Sequence, residues 1–200
     1  MSGFKRLGAV TLSGVSGAGL FYLARCLQRN LRSDLLTSAL LEEIIKLAPY
    51  LLVPAAARKL FLPSGRASMT DKEQKRPGYD WLLLYPLFSV FGFGIWENIH
   101  YFISFPESSI YLRLLYSYPI HLNTGLIYAL GFLSGKPALV GLLFIGAVIY
   151  HAALNLISLQ SAAGIFIYGL GFINLVLFIY LALKLSAELA KRHTLLKGVF

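Results

Sequence analysis

Long apolar runs, separated by shorter polar segments, extend over the whole chain. A membrane-spanning helix needs about 20 predominantly apolar residues. Runs of this kind occur at residues 7–26, 35–55, 79–104, 110–134, 137–160 and 163–186. The one long hydrophilic connection is segment 56–78, whose proline, glycine, serine and mixed charges predict a loop. The pattern therefore predicts an all-α polytopic transmembrane helix bundle of about six spans, with residues 1–200 forming a single integral membrane domain.

The composition supports a membrane protein, and the charges predict its orientation. Hydrophobic residues make up 57% of the chain and charged residues 14%, whereas a soluble domain carries about 25% charged residues. With six spans, thirteen lysines and arginines lie on the side of the termini and of segment 56–78, and four lie on the other side. Since positive residues favour the cytoplasmic side, we expect both termini and the loop at 56–78 in the cytoplasm of a protein of the cell membrane. This distribution explains the net charge of +9 without nucleic acid, because no basic stripe with interleaved aromatic residues occurs.

The first apolar run has a second interpretation. Lys5 and Arg6 precede it, as basic residues precede the core of a cleaved signal peptide. The run from Leu7 to Ala24 is longer than a typical signal core, and arginines follow it. A retained first span is therefore the preferred interpretation, and cleavage is the alternative. Cys26 is the single cysteine, so a disulfide within the chain is excluded.

Five ionisable side chains interrupt the apolar runs. A charged group at the centre of a membrane helix costs about 2.5–3.5 kcal/mol, so packing alone does not account for several of them. With cytoplasmic termini and a rise of about 1.5 Å per residue, all five lie roughly 10–17 Å below the outer surface. The common depth predicts that four spans bring these groups to one hydrated, protein-lined pocket. The five are Glu42, Glu43, Glu97, His121 and His151.

The spacing of polar residues along these helices favours hydrolytic chemistry. Lys46 lies within one turn of both Glu42 and Glu43 and is able to neutralise one of them, which leaves the other facing the pocket. His151 and Asn155 are four residues apart and so lie on one helix face. An imidazole and an amide in this arrangement are suited to stabilising an oxyanion.

Two ways of activating water remain open on the residues alone. A glutamate beside a histidine is able to take a proton from water. Glutamate and histidine are also zinc ligands, and catalytic zinc sites keep one position for water. Glu43, Glu97, His121 and His151 are the candidate zinc ligands, although the HExxH motif is absent.

Together the motifs resemble those of the PrsW family of intramembrane proteases, part of the larger group of CAAX prenyl proteases and bacteriocin-processing enzymes. That family has EExxK, then FxxxE continued as ENxxY, then a histidine in the next span, then HxxxD or HxxxN. The resemblance covers residues 36–160 of this chain. The matching residues, in order, are Glu42, Glu43 and Lys46; Phe93, Glu97, Asn98 and Tyr101; His121; and His151 with Asn155.

The resemblance implies an enzyme that cleaves peptide bonds in or near the membrane, typically in a single-pass protein such as an anti-sigma factor. CAAX proteases have a histidine where this chain has Glu97, which argues against prenylated substrates. Members are commonly classed as metalloproteases, but the better-understood enzymes of the group look metal-independent, so zinc remains an open cofactor. The implied site has water activation by Glu42 and Glu43, completion by Glu97, His121 and His151, oxyanion binding by Asn155, and support from Lys46, Asn98 and Tyr101.

Two other functions fit the same residues. The scaffold subunit of gamma-secretase is considered related to this group and keeps the membrane histidines without known catalysis, so a non-catalytic scaffold is one alternative. A proton or cation transporter is the other, because membrane acids and histidines also form relays. The presence of all three acids favours an enzyme over a scaffold, and the lack of an inverted repeat in the sequence disfavours a transporter.

Overall fold

Six α-helices account for almost all of the residues that the structure describes. The computed structural model describes residues 3–31, 34–61, 79–104, 110–160 and 164–197, and no strand occurs in these ranges. The predicted all-α class is therefore confirmed. The helices are α1 (Gly3–Leu31), α2 (Leu35–Phe61), α3 (Tyr79–Ser104), α4 (Ile110–Ser134), α5 (Pro137–Gln160) and α6 (Gly164–Lys197).

The helix bounds agree closely with the apolar runs in the middle of the chain. α3, α4 and α5 begin and end at the residues predicted for the third, fourth and fifth spans. α2 differs, because it extends to Phe61 and so continues into the first six residues of the segment predicted as a loop. Residues 55–61 read AAARKLF and are mostly strong helix formers, which explains the difference. The remainder of that predicted loop, residues 62–78, lies outside the described residues.

Among the described residues, two helices are long and apolar enough to cross a membrane. They are Pro137–Ile157 in α5 and Tyr168–Lys191 in α6, each with a mean hydropathy of 2.0. Only 22% of the most apolar part of each is buried within the protein, unlike the core helix of a soluble domain. The finding supports membrane association. In α2, three charged residues interrupt the apolar run, namely Glu42, Glu43 and Lys46.

The centre of the bundle is formed by α2, α3 and α4. α3 packs against α1, α2 and α4, and α2 packs against α1, α3, α4 and α5. α6 packs mainly on α4. The helices that carry ionisable residues in their apolar runs are thus neighbours, and they turn those residues towards one another.

The backbones of α1 and α3 are in direct contact. A Cβ atom added at Gly17 would lie 2.6 Å from backbone atoms of Gly92 and of Ser89. A Cβ atom added at Gly92 would lie 2.9 Å from the carbonyl oxygen of Gly14. The hydroxyls of Ser16 and Ser89 share a hydrogen bond of 2.8 Å at the same crossing. Small residues permit this approach, as they do between membrane helices in general, and they fix α1 on α3.

An apolar core lies next to the ionisable groups, between α2, α3, α4, α5 and α6. In it the ring of Tyr50 stacks on Phe132 with 5.4 Å between centroids, and the Tyr50 hydroxyl donates to the carbonyl oxygen of Gly125 at 2.8 Å. Tyr128 belongs to this core but points its hydroxyl away from it, towards Glu43. The core therefore packs the helices together and also delivers one polar group to the site.

Candidate active site

The six ionisable side chains of α2, α3, α4 and α5 named in the sequence analysis lie together in the protein interior. Glu43 and Lys46 are 0% exposed, His121 is 1% and His151 is 2% exposed, and Glu42 and Glu97 are each 8% exposed. The rings of His121 and His151 meet edge to face with 5.5 Å between centroids. Because burying charges is costly unless they are paired, a cluster of this size requires compensation among its own members.

Glu43 is held by three partners from three helices. Its Oε1 accepts a hydrogen bond from Lys46 Nζ at 2.6 Å and lies 2.7 Å from His151 Nδ1. Its Oε2 accepts a hydrogen bond from the Tyr128 hydroxyl at 2.6 Å. Lys46 Nζ also lies 5.2 Å from the centre of the Phe93 ring. Both carboxylate oxygens are engaged, so Glu43 is suited to orienting its neighbours and poorly suited to taking a proton from water.

His151 connects the two glutamates of α2. Its Nδ1 faces Glu43, which can only accept, so this nitrogen carries a hydrogen. Its Nε2 lies 3.5 Å from Glu42 Oε2. The imidazole is thus fixed on one side by Glu43 and presents its other nitrogen to Glu42. A histidine held in this way has a defined tautomer or is doubly protonated between two carboxylates.

Glu42 differs from Glu43 in having one oxygen that is not hydrogen-bonded. Its Oε1 accepts from Gln28 Nε2 at 2.7 Å. Its Oε2 is buried and has no hydrogen-bond partner among the described residues. Glu97 and His121 form an ion pair through Oε2 and Nε2 next to it. Glu42 Oε2, Glu97 and His121 thus surround one point in the interior, and a water molecule bound there would contact a carboxylate able to accept its proton.

Glycine and phenylalanine residues of α3 make room for His121. A Cβ atom added at Gly94 would lie 3.0 Å from His121 Cβ, so the absence of a side chain at Gly94 leaves space for His121. The Phe93 ring contacts the imidazole with 5.4 Å between centroids. Asn98, which was expected to support the site, is buried and donates to the carbonyl oxygen of Gly94 at 2.8 Å. These contacts hold the α3 backbone against the histidine.

Asn155 and Tyr101 are the remaining predicted residues, and each lies one helical turn from a member of the cluster. Asn155 is partly buried and lies one helical turn beyond His151 on the same face of α5. Tyr101 is partly buried, and its ring contacts that of His100 with 6.0 Å between centroids.

Two residues of the cluster were not identified from the sequence. Gln28 lies near the end of α1 among arginines. A polar residue in that position is typical of a helix terminus, so the sequence does not indicate a role in the site. Tyr128 is one of twelve tyrosines in the chain. A signal for Tyr128 did exist, because it follows His121 by seven residues and therefore lies on the same face of α4.

The residues that fit a metal differ from the set predicted. Glu42, Glu97 and His121 each offer one ligand atom, and these atoms lie within 4.8 Å of one another. Carboxylate oxygen and imidazole nitrogen are both zinc ligands, and three protein ligands would leave one position for water. Glu43 does not join this set, because Lys46, His151 and Tyr128 already bind its oxygens.

Charge balance at the site allows two states. Three glutamates face a single lysine, so their full ionisation leaves an excess of negative charge in the interior. Protonation of His121 and His151 would balance this excess, and so would a divalent cation held by Glu42, Glu97 and His121. The geometry therefore accommodates both an acid-activated and a metal-activated water.

Comparison with known proteins gives no relative for this chain. No protein-family model matches it, and no curated protein and no solved structure is significantly similar. Any proposal about function therefore rests on the site geometry and on the motif resemblance.

Proposed function

We propose that the chain is a PrsW-like intramembrane endopeptidase that hydrolyses peptide bonds of membrane-associated proteins. The observation that carries the proposal is the buried Glu42 carboxylate, whose Oε2 has no hydrogen bond within the described part of the chain and lies 3.5 Å from His151 Nε2. A desolvated carboxylate next to two histidines is the arrangement required of a general base for water. Its neighbour Glu43 is a weaker candidate for this role, because both of its oxygens are engaged.

The proposed reaction begins with a water molecule at Glu42. Glu42 takes one proton from the water, while the ion pair of Glu97 and His121 orients it. The hydroxide attacks the peptide carbonyl carbon and forms a tetrahedral intermediate with a negatively charged oxygen. His151, protonated between Glu43 and Glu42, donates from Nε2 to this oxygen, assisted by the Asn155 amide. The C–N bond then breaks, Glu42 returns its proton to the leaving amine, and a new carboxylic acid and a new amine are released. The acid then loses its proton to the solvent.

Metal-assisted hydrolysis is retained as a variant of this proposal. Glu42, Glu97 and His121 would hold a zinc ion, which would supply a Lewis acid for water and for the substrate carbonyl. His151 would still be oriented by Glu43 and would still face the developing oxyanion. Metal analysis of purified wild type beside Glu42→Gln distinguishes the variants, since bound zinc is expected to be lost with its ligand.

The proposed setting is a six-span bundle in the cell membrane with both termini in the cytoplasm. The excess of lysine and arginine on the side of the termini supports this orientation. It places the site in the outer half of the bilayer, so the proposed substrates are single-pass proteins, such as an anti-sigma factor, cut in or near that half. Glu97, in the position where CAAX proteases have histidine, argues against prenylated substrates.

The test is cleavage in proteoliposomes that contain the purified protein and a panel of single-pass substrates. Wild type is expected to cleave at least one substrate, and Glu42→Gln is expected to lower the rate by about 10²–10⁴-fold. Glu188→Gln is the matched control, because Glu188 is partly exposed and pairs with Lys191 outside the cluster. Equal cleavage by wild type and Glu42→Gln would contradict the proposal. A lack of cleavage across the panel, with stable copurification of another membrane protein, would favour the scaffold alternative.

A further inference from the structure

We propose that Gln28, on α1, is a positioning residue that holds the carboxylate of Glu42 in its reactive orientation. The inference rests on the proposed function, because it concerns the general base of that reaction. Gln28 is only 8% exposed although it lies three residues from the end of α1. Its Nε2 donates to Glu42 Oε1 at 2.7 Å in a buried hydrogen bond. None of the motifs that indicate the active site lies on α1.

The orientation of the Gln28 amide is determined by its neighbours. Arg25 Nη1 lies 3.2 Å from Gln28 Oε1, and arginine is able only to donate, so this atom is the oxygen. The amide nitrogen on the opposite side then faces two acceptors, Glu42 Oε1 and, at 3.4 Å, the carbonyl oxygen of Ser38. All three neighbours agree on one orientation, with the amide nitrogen directed at the glutamate.

A fixed Oε1 determines where the other carboxylate oxygen points. With Oε1 bound to Gln28, Oε2 of Glu42 is turned to His151 Nε2, 3.5 Å away, and to the ion pair of Glu97 and His121. Without the amide, the Glu42 carboxylate is free to rotate about its last side-chain bond, and Oε2 no longer has a defined position. Because catalysis depends on the geometry between base and water, loss of this restraint is expected to slow the chemical step.

α1 is packed firmly enough to act as a support for Gln28. Its backbone touches that of α3 at Gly17 and Gly92. Nearer to Gln28, the Phe21 ring meets the Phe93 ring edge to face with 5.7 Å between centroids, and Phe93 in turn contacts His121. Gln28 and the rest of the site are therefore held by one continuous set of contacts, and α1 forms part of the catalytic unit.

A role in positioning makes a different prediction from a role in stability alone. Gln28 binds Glu42 Oε1, whereas Oε2 is the oxygen that faces His151, so loss of Gln28 is expected to lower kcat and to leave KM unchanged. A residue that acts only through stability would instead lower the amount of folded protein and leave the kcat of the folded fraction unchanged.

The experiment measures kcat, KM and the unfolding midpoint of Gln28→Leu and Gln28→Met in proteoliposomes with one cleaved single-pass substrate. We expect kcat to fall by about 10- to 100-fold, as for loss of a hydrogen bond to a charged group, with KM within about two-fold of wild type. The methionine variant preserves the length of the side chain and provides the answer if the leucine variant does not fold. Asn30→Leu is the control, since Asn30 is an exposed amide on the same helix, and it is expected to behave as wild type.

Each outcome decides the inference. A folded Gln28→Leu or Gln28→Met protein with the kcat of wild type overturns it, and so does loss of folded protein in both variants, which would show a role in stability alone. If wild type cleaves the substrate, these outcomes leave the proposed function intact. If wild type cleaves no substrate, the proposed function fails and this inference fails with it.

Discussion

Glu42 and Glu43 are consecutive residues on α2, yet the regions around them differ in how they hydrogen-bond the carboxylate oxygens. This difference separates a reactive carboxylate from a structural one. Around Glu43, a lysine, a histidine and a tyrosine bind both oxygens at 2.6–2.7 Å. Around Glu42, one oxygen accepts from Gln28 at 2.7 Å and the other has no hydrogen bond within the described residues. Both side chains are buried, so the difference lies in their partners and not in exposure to solvent.

Helix geometry explains how two adjacent residues reach such different surroundings. Successive residues of an α-helix point about 100° apart. Glu43 is therefore directed at α4 and α5, which supply Tyr128 and His151, and Glu42 is directed at α1 and α3. A pair of adjacent acids in a buried helix thus provides one group that orients the site and one that is available for chemistry.

The largest effect on stability is expected from Glu43→Gln. The substitution removes the carboxylate that pairs directly with Lys46, which is 0% exposed, and breaking a buried ion pair in this way costs about 3–5 kcal/mol. The measurement is the free energy of unfolding in detergent. Glu43→Gln combined with Lys46→Met is the informative control, because it removes both members of this ion pair and is expected to regain much of the loss. A single variant as stable as wild type would contradict the structural role of Glu43.

Tyr128→Phe removes one partner from the same region and is expected to have a smaller effect. The phenol donates to Glu43 Oε2 at 2.6 Å, and a hydrogen bond to a charged group contributes about 1.5–3 kcal/mol. Unfolding measurements beside Tyr168→Phe, at a tyrosine that is 59% exposed, provide the comparison. Equal stabilities of the two variants would show that Tyr128 does not support Glu43.

Gly17→Ala acts on the other region, through α1. The added methyl group would lie 2.6 Å from the α3 backbone, which cannot move aside as a flexible side chain does. We expect a loss of about 1–3 kcal/mol in the free energy of unfolding, as for overpacking of a core, and a lower cleavage rate because Gln28 moves with α1. Gly19→Ala is a matched control on the same helix, since a Cβ atom there meets nothing within 4 Å. Identical behaviour of the two variants would contradict the close contact between α1 and α3.

The smallest effect is expected from Asp34→Ala, which changes neither region directly. Asp34 Oδ1 accepts from the Thr37 backbone amide at 2.8 Å at the start of α2, and the bonds from Thr37 lower the pKa of this carboxyl below its ordinary value. A group with a lowered folded-state pKa stabilises the protein above its unfolded-state pKa and loses this contribution as the pH falls through the folded-state pKa. The variant is therefore expected to unfold slightly below wild type at neutral pH and together with it in strong acid. A difference that persists in acid would exclude the ionised cap.

The helices were predictable because apolar length and polar interruption depend on local sequence. α3, α4 and α5 begin and end where the apolar runs do. α2 extends past its apolar run, because helix-forming residues such as Ala56, Ala57 and Arg58 continue a helix without being apolar. Hydropathy alone therefore identified the helix and misplaced its end.

The membership of the polar cluster was predictable in part. Common depth placed Glu42, Glu43, Glu97, His121 and His151 at one level, because position along a helix can be read from residue number. The sequence could not show that Lys46 pairs with Glu43 and not with Glu42, since Lys46 is within one turn of both acids. This pairing depends on which faces α4 and α5 present, and that is a property of the packed bundle. For the same reason Gln28 was not identified, because its partner is fourteen residues away on the next helix.

The most direct test of the account is the cleavage rate per folded molecule of Glu42→Gln in proteoliposomes, measured with its unfolding midpoint. If Glu42 is the general base and Glu43 the structural acid, the variant folds like wild type and its rate falls by about 10²–10⁴-fold. A folded Glu42→Gln protein that cleaves its substrate at the rate of wild type would contradict the assignment of these two neighbouring carboxylates.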